Sequence, residues 1–450
     1  MSLLSKLLLP VSIIVSTAVS ASTVYGEDER LYEIANASLP ERLRSDVTTL
    51  VEFGTRHTLS DTKDNAFGIG AARRWIKAEF ERISSQCGDC LEIIEVSDVV
   101  EGRRIPTPTN VVNIVAILRG TTDPNRMVVM SGDIDSRVSD PLNSSDVSPG
   151  ANDNASGVAG VIEAARVLSQ YQFEGSIVFA ALSGEEQGLY GGRILAEYAK
   201  SQDWQIQAVL NNDMIGNIAG INGVINNHSV RVFSEGVRIT ETPEEARERY
   251  FSGGENDSAS RNLARFIKVV GEQYMTNLDV EMVYRLDRFG RGGHHFPFNQ
   301  AGFPAVRIME VNEHYDRQHQ DIRLEGERHY GDTIEFVDFE FNAKLTSLNA
   351  VALAAMAWAP APPSEVGIAG QVSPSTTLSW TKVNGAAGYR VHWRKTTESE
   401  WTHSRFVGDV DEFTLENIVI DNYLFGVSSV SKDGHQSPVV FPGRTGAFFN

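Results

Sequence analysis

Between residues 110 and 358, short apolar, β-branched runs alternate with longer stretches whose apolar positions recur every three or four residues. The runs at 111–118, 127–131, 176–182, 208–211 and 304–309 predict strands; the stretches at 157–170, 189–200, 258–274 and 338–358 predict helices. Within 157–170, Val158, Val161, Ile162, Ala165 and Leu168 share one face, with Asn154 or Ser156 placed to cap the helix. This alternation requires crossover connections, so the fold class expected is α/β, a mixed and mostly parallel sheet flanked by helices. The preceding segment, 27–104, reads as mostly helical, with Trp75, Ile76, Phe80 and Ile83 on one face.

After the Ala-Pro-Ala-Pro-Pro stretch at 359–363 the pattern changes to short alternating strands separated by turn residues, without helical periodicity. This predicts a small all-β sandwich over 364–447, whose Trp380, Tyr389 and Tyr423 belong to its core. Their placement resembles that of a fibronectin type III domain, which implies contact with an extracellular surface or polymer. The boundaries are thus 27–358 for the α/β domain, 359–363 for a linker and 364–447 for the sandwich.

The N-terminus reads as an export signal. Lys6 precedes an apolar run at 7–15 and small residues at 18–21, with cleavage after Ala21, so the protein is expected to be secreted or periplasmic. No stable membrane insertion is expected, because the apolar stretch at 350–358 is too short and is closed by Pro360, Pro362 and Pro363. Export changes the meaning of the only two cysteines, Cys87 and Cys90: an oxidising compartment favours a structural disulfide over redox chemistry. The 450 residues carry 59 acidic and 40 basic side chains, a formal charge of −19, which argues against nucleic acid as a partner and favours cations.

Acidic residues gather just past the predicted strand ends, where open α/β sheets bind ligands. Asp133 and Asp135 follow the strand at 127–131, Asp153 precedes a helix, Glu185 and Glu186 follow the strand at 176–182, and Asp213 follows that at 208–211. Six carboxylates converging on one sheet edge would repel one another without a cation among them, and divalent metal ions are the usual partner. The adjacent Glu185 and Glu186 suit a division between proton transfer and metal ligation, and His319 is the leading candidate for a nitrogen ligand.

The blocks Pro-Gly-Ala-Asn-Asp-Asn-Ala-Ser-Gly (149–157), Ser-Gly-Glu-Glu-Gln-Gly-Leu (183–189) and Asn-Asn-Asp-Met (211–214) resemble, in order, those of the M28 zinc metallopeptidases, which include secreted bacterial leucyl aminopeptidases. The resemblance implies peptide substrates and two zinc ions. It also implies a bridging ligand at Asp153, a general base at Glu185, ligands at Glu186, Asp213 and His319, and a catalytic supporting role for Asp135.

Two departures bear on that expectation. The family's Gly-His-x-Asp is here Gly132-Asp133-Ile134-Asp135, so Asp133 replaces the imidazole ligand of the first metal. Asp133, Asp153 and Asp213 would form an all-oxygen site, weak for zinc and better suited to manganese, magnesium or calcium. The family's Asp-His is here His294-His295. His295 matches the histidine that lines the site, and His294 is a candidate to supply the imidazole that Asp133 lost. Arg285, Arg288 and Arg291 lie nearby, and Arg288 and Arg291 are candidates for binding an acidic side chain or a substrate carboxylate. Two further readings remain: a single-zinc enzyme like the related glutaminyl cyclases, or a catalytically impaired peptide-binding homologue.

Overall fold

The structure, a computed structural model, describes residues 27–445. The export segment at 1–21 and residues 446–447 of the expected sandwich lie outside the described residues. Three helices open the chain: α1 (Glu29–Ala35), α2 (Pro40–Glu52) and α3 (Gly68–Gln86). A disulfide joins Cys87 and Cys90 in the turn that follows.

The helical expectation for 27–104 fails at β1 (Leu91–Gly102), which pairs antiparallel with β2 (Ile105–Leu118). Its Glu92, Glu95, Ser97, Asp98 and Val99 are exposed, so its apolar periodicity is weak; pairing with β2 makes it a strand.

The remaining strands of this sheet are β3 (Asp123–Asp133), β4 (Gly175–Leu182), β5 (Gln205–Asn212), β6 (Ser229–Ser234), β7 (Asp279–Val283) and β8 (Ala305–Glu310). The order is β1-β2-β4-β3-β5-β8-β6-β7, and the central run β4-β3-β5-β8 is parallel throughout. Helices α4 (Ser156–Leu168), α5 (Tyr190–Ser201), α6 (Pro243–Ser252), α7 (Ala259–Tyr274), α8 (His295–Gln300) and α9 (Phe339–Trp358) complete the α/β domain. A short hairpin, β9 (Arg323–Glu325) and β10 (Arg328–Tyr330), precedes α9.

Both sheet faces are covered, as parallel strands require. Val128 and Met130 of β3 join the core that includes α2, α3, α4, α7 and α9, whereas Met127 and Val129 join the core on the α5 and α8 side. Helix α9 is buried over nearly its whole length, which accounts for the apolar stretch at 350–358. Among the described residues no helix is long and apolar enough to cross a membrane.

The C-terminal region contains β11 (Ser364–Ala369), β12 (Thr376–Thr381), β13 (Gly388–Lys395), β14 (His403–Gly408), β15 (Glu412–Leu415), β16 (Tyr423–Val430) and β17 (Arg444–Thr445). They form two sheets, β15-β12-β11-β17 and β14-β13-β16. Leu378 and Trp380 of the first share one core with Tyr389, Val391, Phe425 and Val427 of the second, so the sheets pack as a sandwich. The sandwich is fastened to α7 by buried charge: Arg394 donates to both oxygens of Asp257 at 2.9 and 2.8 Å, and Arg265 donates to Asp257 at 2.9 Å and to the Ser399 carbonyl at 2.6 Å.

Candidate metal centre

The parallel run β4-β3-β5-β8 brings four strand carboxyl ends side by side, and these carry the acidic residues. Asp133 is the last residue of β3, Asp213 follows β5, and Glu185 and Glu186 lie on the loop after β4. Asp153 enters from the turn before α4. The first residues of α4 sit close over the end of β3: a Cβ on Gly132 would lie 2.6 Å from the Gly157 backbone, an approach that only glycine permits.

One group of three ligands is assembled. A carboxylate oxygen of Asp153, one of Glu186 and a ring nitrogen of His319 all lie within 4.8 Å of one another. His319 Nε2 is 2.8 Å from Glu186 Oε1 and 3.0 Å from Asp153 Oδ2. Burial works against the charge of both partners, yet Glu186 and Asp153 raise His319 to about 9, and His319 and Arg137 hold Glu186 well below the usual carboxylate range. Two carboxylates and one imidazole are the ligand number and chemistry of a catalytic zinc site. The group therefore fits the metal that its donor set implies.

Neighbouring residues hold these ligands in place. Arg137 donates to Glu186 Oε2 at 2.7 Å. Asp332 accepts the backbone N–H groups of Asn152 and Asp153, the latter at 2.6 Å. Asp135 accepts the N–H groups of Glu185 at 3.2 Å and Glu186 at 3.0 Å, and so anchors the backbone of the loop that carries both. Glu185 is half-buried; burial and repulsion from Glu186 and Asp213 push its carboxyl well above the ordinary range.

Asp133 and Asp213 do not join this group. Asp133 Oδ1 lies 2.5 Å from His294 Nδ1, and its Oδ2 accepts from Asn154 Nδ2 at 2.7 Å. Burial lowers His294 to about 4 and raises Asp133 to about 7, so the ring of the pair is neutral at pH 7. Asp213 Oδ2 is 2.7 Å from Arg307 Nη2, and Arg307 Nη1 is 2.9 Å from Asp287 Oδ2. Burial opposes the charge of Arg307, but Asp213 and Asp287 raise its pKa above the usual guanidinium value.

Of the three residues expected to meet substrate, His295 and Arg288 have other partners. His295 is fully buried, with Nε2 2.9 Å from the Leu286 carbonyl. Arg288 is 2.9 Å from Glu313 Oε2 and also pairs with Asp287. Arg291 is exposed at the surface. The sequence reading missed Arg307, Arg137 and Asp332. A signal for Arg307 existed: one charge within the apolar run Ala305-Val-Arg-Ile-Met309 of a central strand needs a buried partner.

A doubly covered, mixed sheet whose parallel strands deliver a histidine and two carboxylates to one edge defines an α/β metallohydrolase. Residues 113–334 match peptidase family M28. A probable zinc metalloprotease of Pyrenophora tritici-repentis is 42% identical over 422 residues, covering 92% of this chain and 87% of the relative. Another, from Pyricularia oryzae, is 44% identical over 414 residues, covering 90% and 82%. The chain belongs to peptidase family M28, among relatives named as zinc metalloproteases. These relatives are fungal, so the sequence similarity does not single out the bacterial branch. The crystal structure of the Legionella pneumophila LapA aminopeptidase has a like fold, with a TM-score of 0.53 at 19% identity over 74% of this chain and 77% of that one.

Proposed function

We propose that this chain is an exported, metal-dependent exopeptidase, an aminopeptidase that hydrolyses N-terminal residues from peptides. The observation that carries the reading is the assembled group Asp153, Glu186 and His319 with Glu185 beside it in sequence and space. A zinc ion held there would supply Lewis-acid polarisation of the scissile carbonyl and of an attacking water. Glu185 accepts the water proton and returns it to the leaving amine, and its raised pKa brings it nearer the range where a carboxylate both takes and gives a proton. Asp135 fixes the position of Glu185 through the backbone, and Arg137 and Asp332 hold the ligands while substrate enters and leaves.

Assay of a panel of aminoacyl chromogenic substrates, with metal content measured on the same preparation, tests the proposal. Release of N-terminal residues supports it. Pyroglutamate formation from N-terminal glutamine without peptide hydrolysis would instead favour the cyclase reading, which a single three-ligand group also suits. Peptide binding without turnover would mark a catalytically impaired homologue. Residues 364–447 we read as a fibronectin type III-like module that contacts an extracellular surface or polymer.

A further inference from the structure

The second metal ion that the family implies does not fit this chain, and we infer that the Arg307 guanidinium stands in its place. The protein would then hold one exchangeable divalent ion, beside a fixed organic cation. The inference rests on the reading of Asp153, Glu186 and His319 as metal ligands, and deepens it.

Three observations lead there. First, Arg307 projects from β8 with no solvent exposure, and its Nη2 lies 2.7 Å from Asp213 Oδ2, on the carboxylate that would serve the other ion. The guanidinium is held through its other terminal nitrogen, Nη1, by Asp287 at 2.9 Å and by the Gly292 carbonyl at 2.9 Å, so it is a built part of the site rather than a surface side chain swung inward. Second, Asp133, at the position of the lost imidazole, commits one oxygen to His294 at 2.5 Å and the other to Asn154 at 2.7 Å. Third, the only three-ligand group assembled among the described residues is Asp153, Glu186 and His319, and neither Asp133 nor Asp213 belongs to it.

The electrostatic logic is that buried carboxylates at one sheet edge need positive charge from somewhere. A second divalent ion could provide it, but would compete with a guanidinium that is already there, is always protonated and makes paired hydrogen bonds to carboxylates. Asp213 on Nη2 and Asp287 on Nη1 of Arg307 fix it in place. Arg307 is thus a positioning residue: it holds Asp213, and its charge lies close enough to Glu185 for the two to interact.

Titration of metal-free protein with cobalt(II), followed by its visible absorption and by calorimetry, decides the matter. The wild-type chain should saturate at one equivalent, and that equivalent should be lost in His319→Ala. Saturation at two equivalents would overturn the inference while leaving the metal centre intact; no uptake at all would overturn the reading of the metal centre, and the inference with it. Arg307→Lys keeps the charge and should remain at one equivalent. Arg307→Met should take up a second, weaker equivalent, and a Met variant with native circular dichroism that still stops at one would show that Arg307 is not what excludes the second ion. Should the Met variant fail to fold, the wild-type count remains decisive.

Discussion

His294 and Asp133 form a buried pair, Nδ1 to Oδ1 at 2.5 Å. Each stands where the family carries the other's residue type, so two departures that look independent in the sequence are one exchange across the site. The imidazole is present, but it faces Asp133 through Nδ1, and its Nε2 has no hydrogen-bond partner among the described residues.

The exchange predicts how variants behave. His294→Ala leaves the buried Asp133 carboxyl with Asn154 as its remaining side-chain hydrogen-bond partner among the described residues and should cost about 2–4 kcal/mol in urea unfolding. The double variant Asp133→His with His294→Asp restores a histidine–carboxylate pair and should recover most of that loss. A double variant no more stable than the single one would show that the pair is not what holds this corner together.

Glu185→Gln keeps the shape and removes the base. Turnover of a good aminoacyl substrate should fall by about 10²–10⁴-fold. KM and metal content should change little, because Glu185 is not in the three-ligand group. Unchanged turnover in metal-loaded protein would refute the mechanism proposed above.

Asp46 predicts a pH effect remote from the metal. Its Oδ2 is buried on α2 without a hydrogen-bond partner among the described residues. Burial raises its pKa from 3.8 to about 7, and repulsion from Glu79 and Glu163 adds to this against the pull of Arg42. Between those two values the native state keeps a proton that the unfolded chain has lost, so this group makes stability fall as pH rises from 3.8 to about 7. Asp46→Asn removes the penalty: its stability gain should grow across that window and level off above it, with an upper bound of roughly 4 kcal/mol. Thermal melts at pH 4 and pH 8 check the sign, and an equal gain at both would contradict it.

Asp257 ties the two domains together. Asp257→Ala would leave Arg265 and Arg394 buried with their shared acceptor gone, a change that costs about 3–5 kcal/mol for pairs of this kind. Calorimetry should then resolve the sandwich from the α/β domain as two transitions. A single transition at the wild-type temperature would show that the apolar contacts alone join them.

The strands and helices of the α/β core were legible because each has a strong period and a distinct length. β3, β4, β5 and β8, with α4, α5, α7 and α9, all overlap the runs read from the pattern. β1 was not legible, since an edge strand with exposed acids has little periodicity of its own. The carboxylates were legible as a set, because loops after parallel strands meet at one sheet edge. Their division into separate partnerships was not, since a motif names residue types and cannot say which of two nearby cations a carboxylate faces.

Local order along the chain therefore determined the fold class and the sheet edge that carries the site. The tertiary structure decided the rest. Arg307 lies 94 residues from Asp213 and His294 lies 161 from Asp133, and only the crossover connections bring each pair within hydrogen-bond reach. Burial then makes those contacts matter, because in a water-poor sheet edge every charge must find its counter-charge within the protein or in a bound ion.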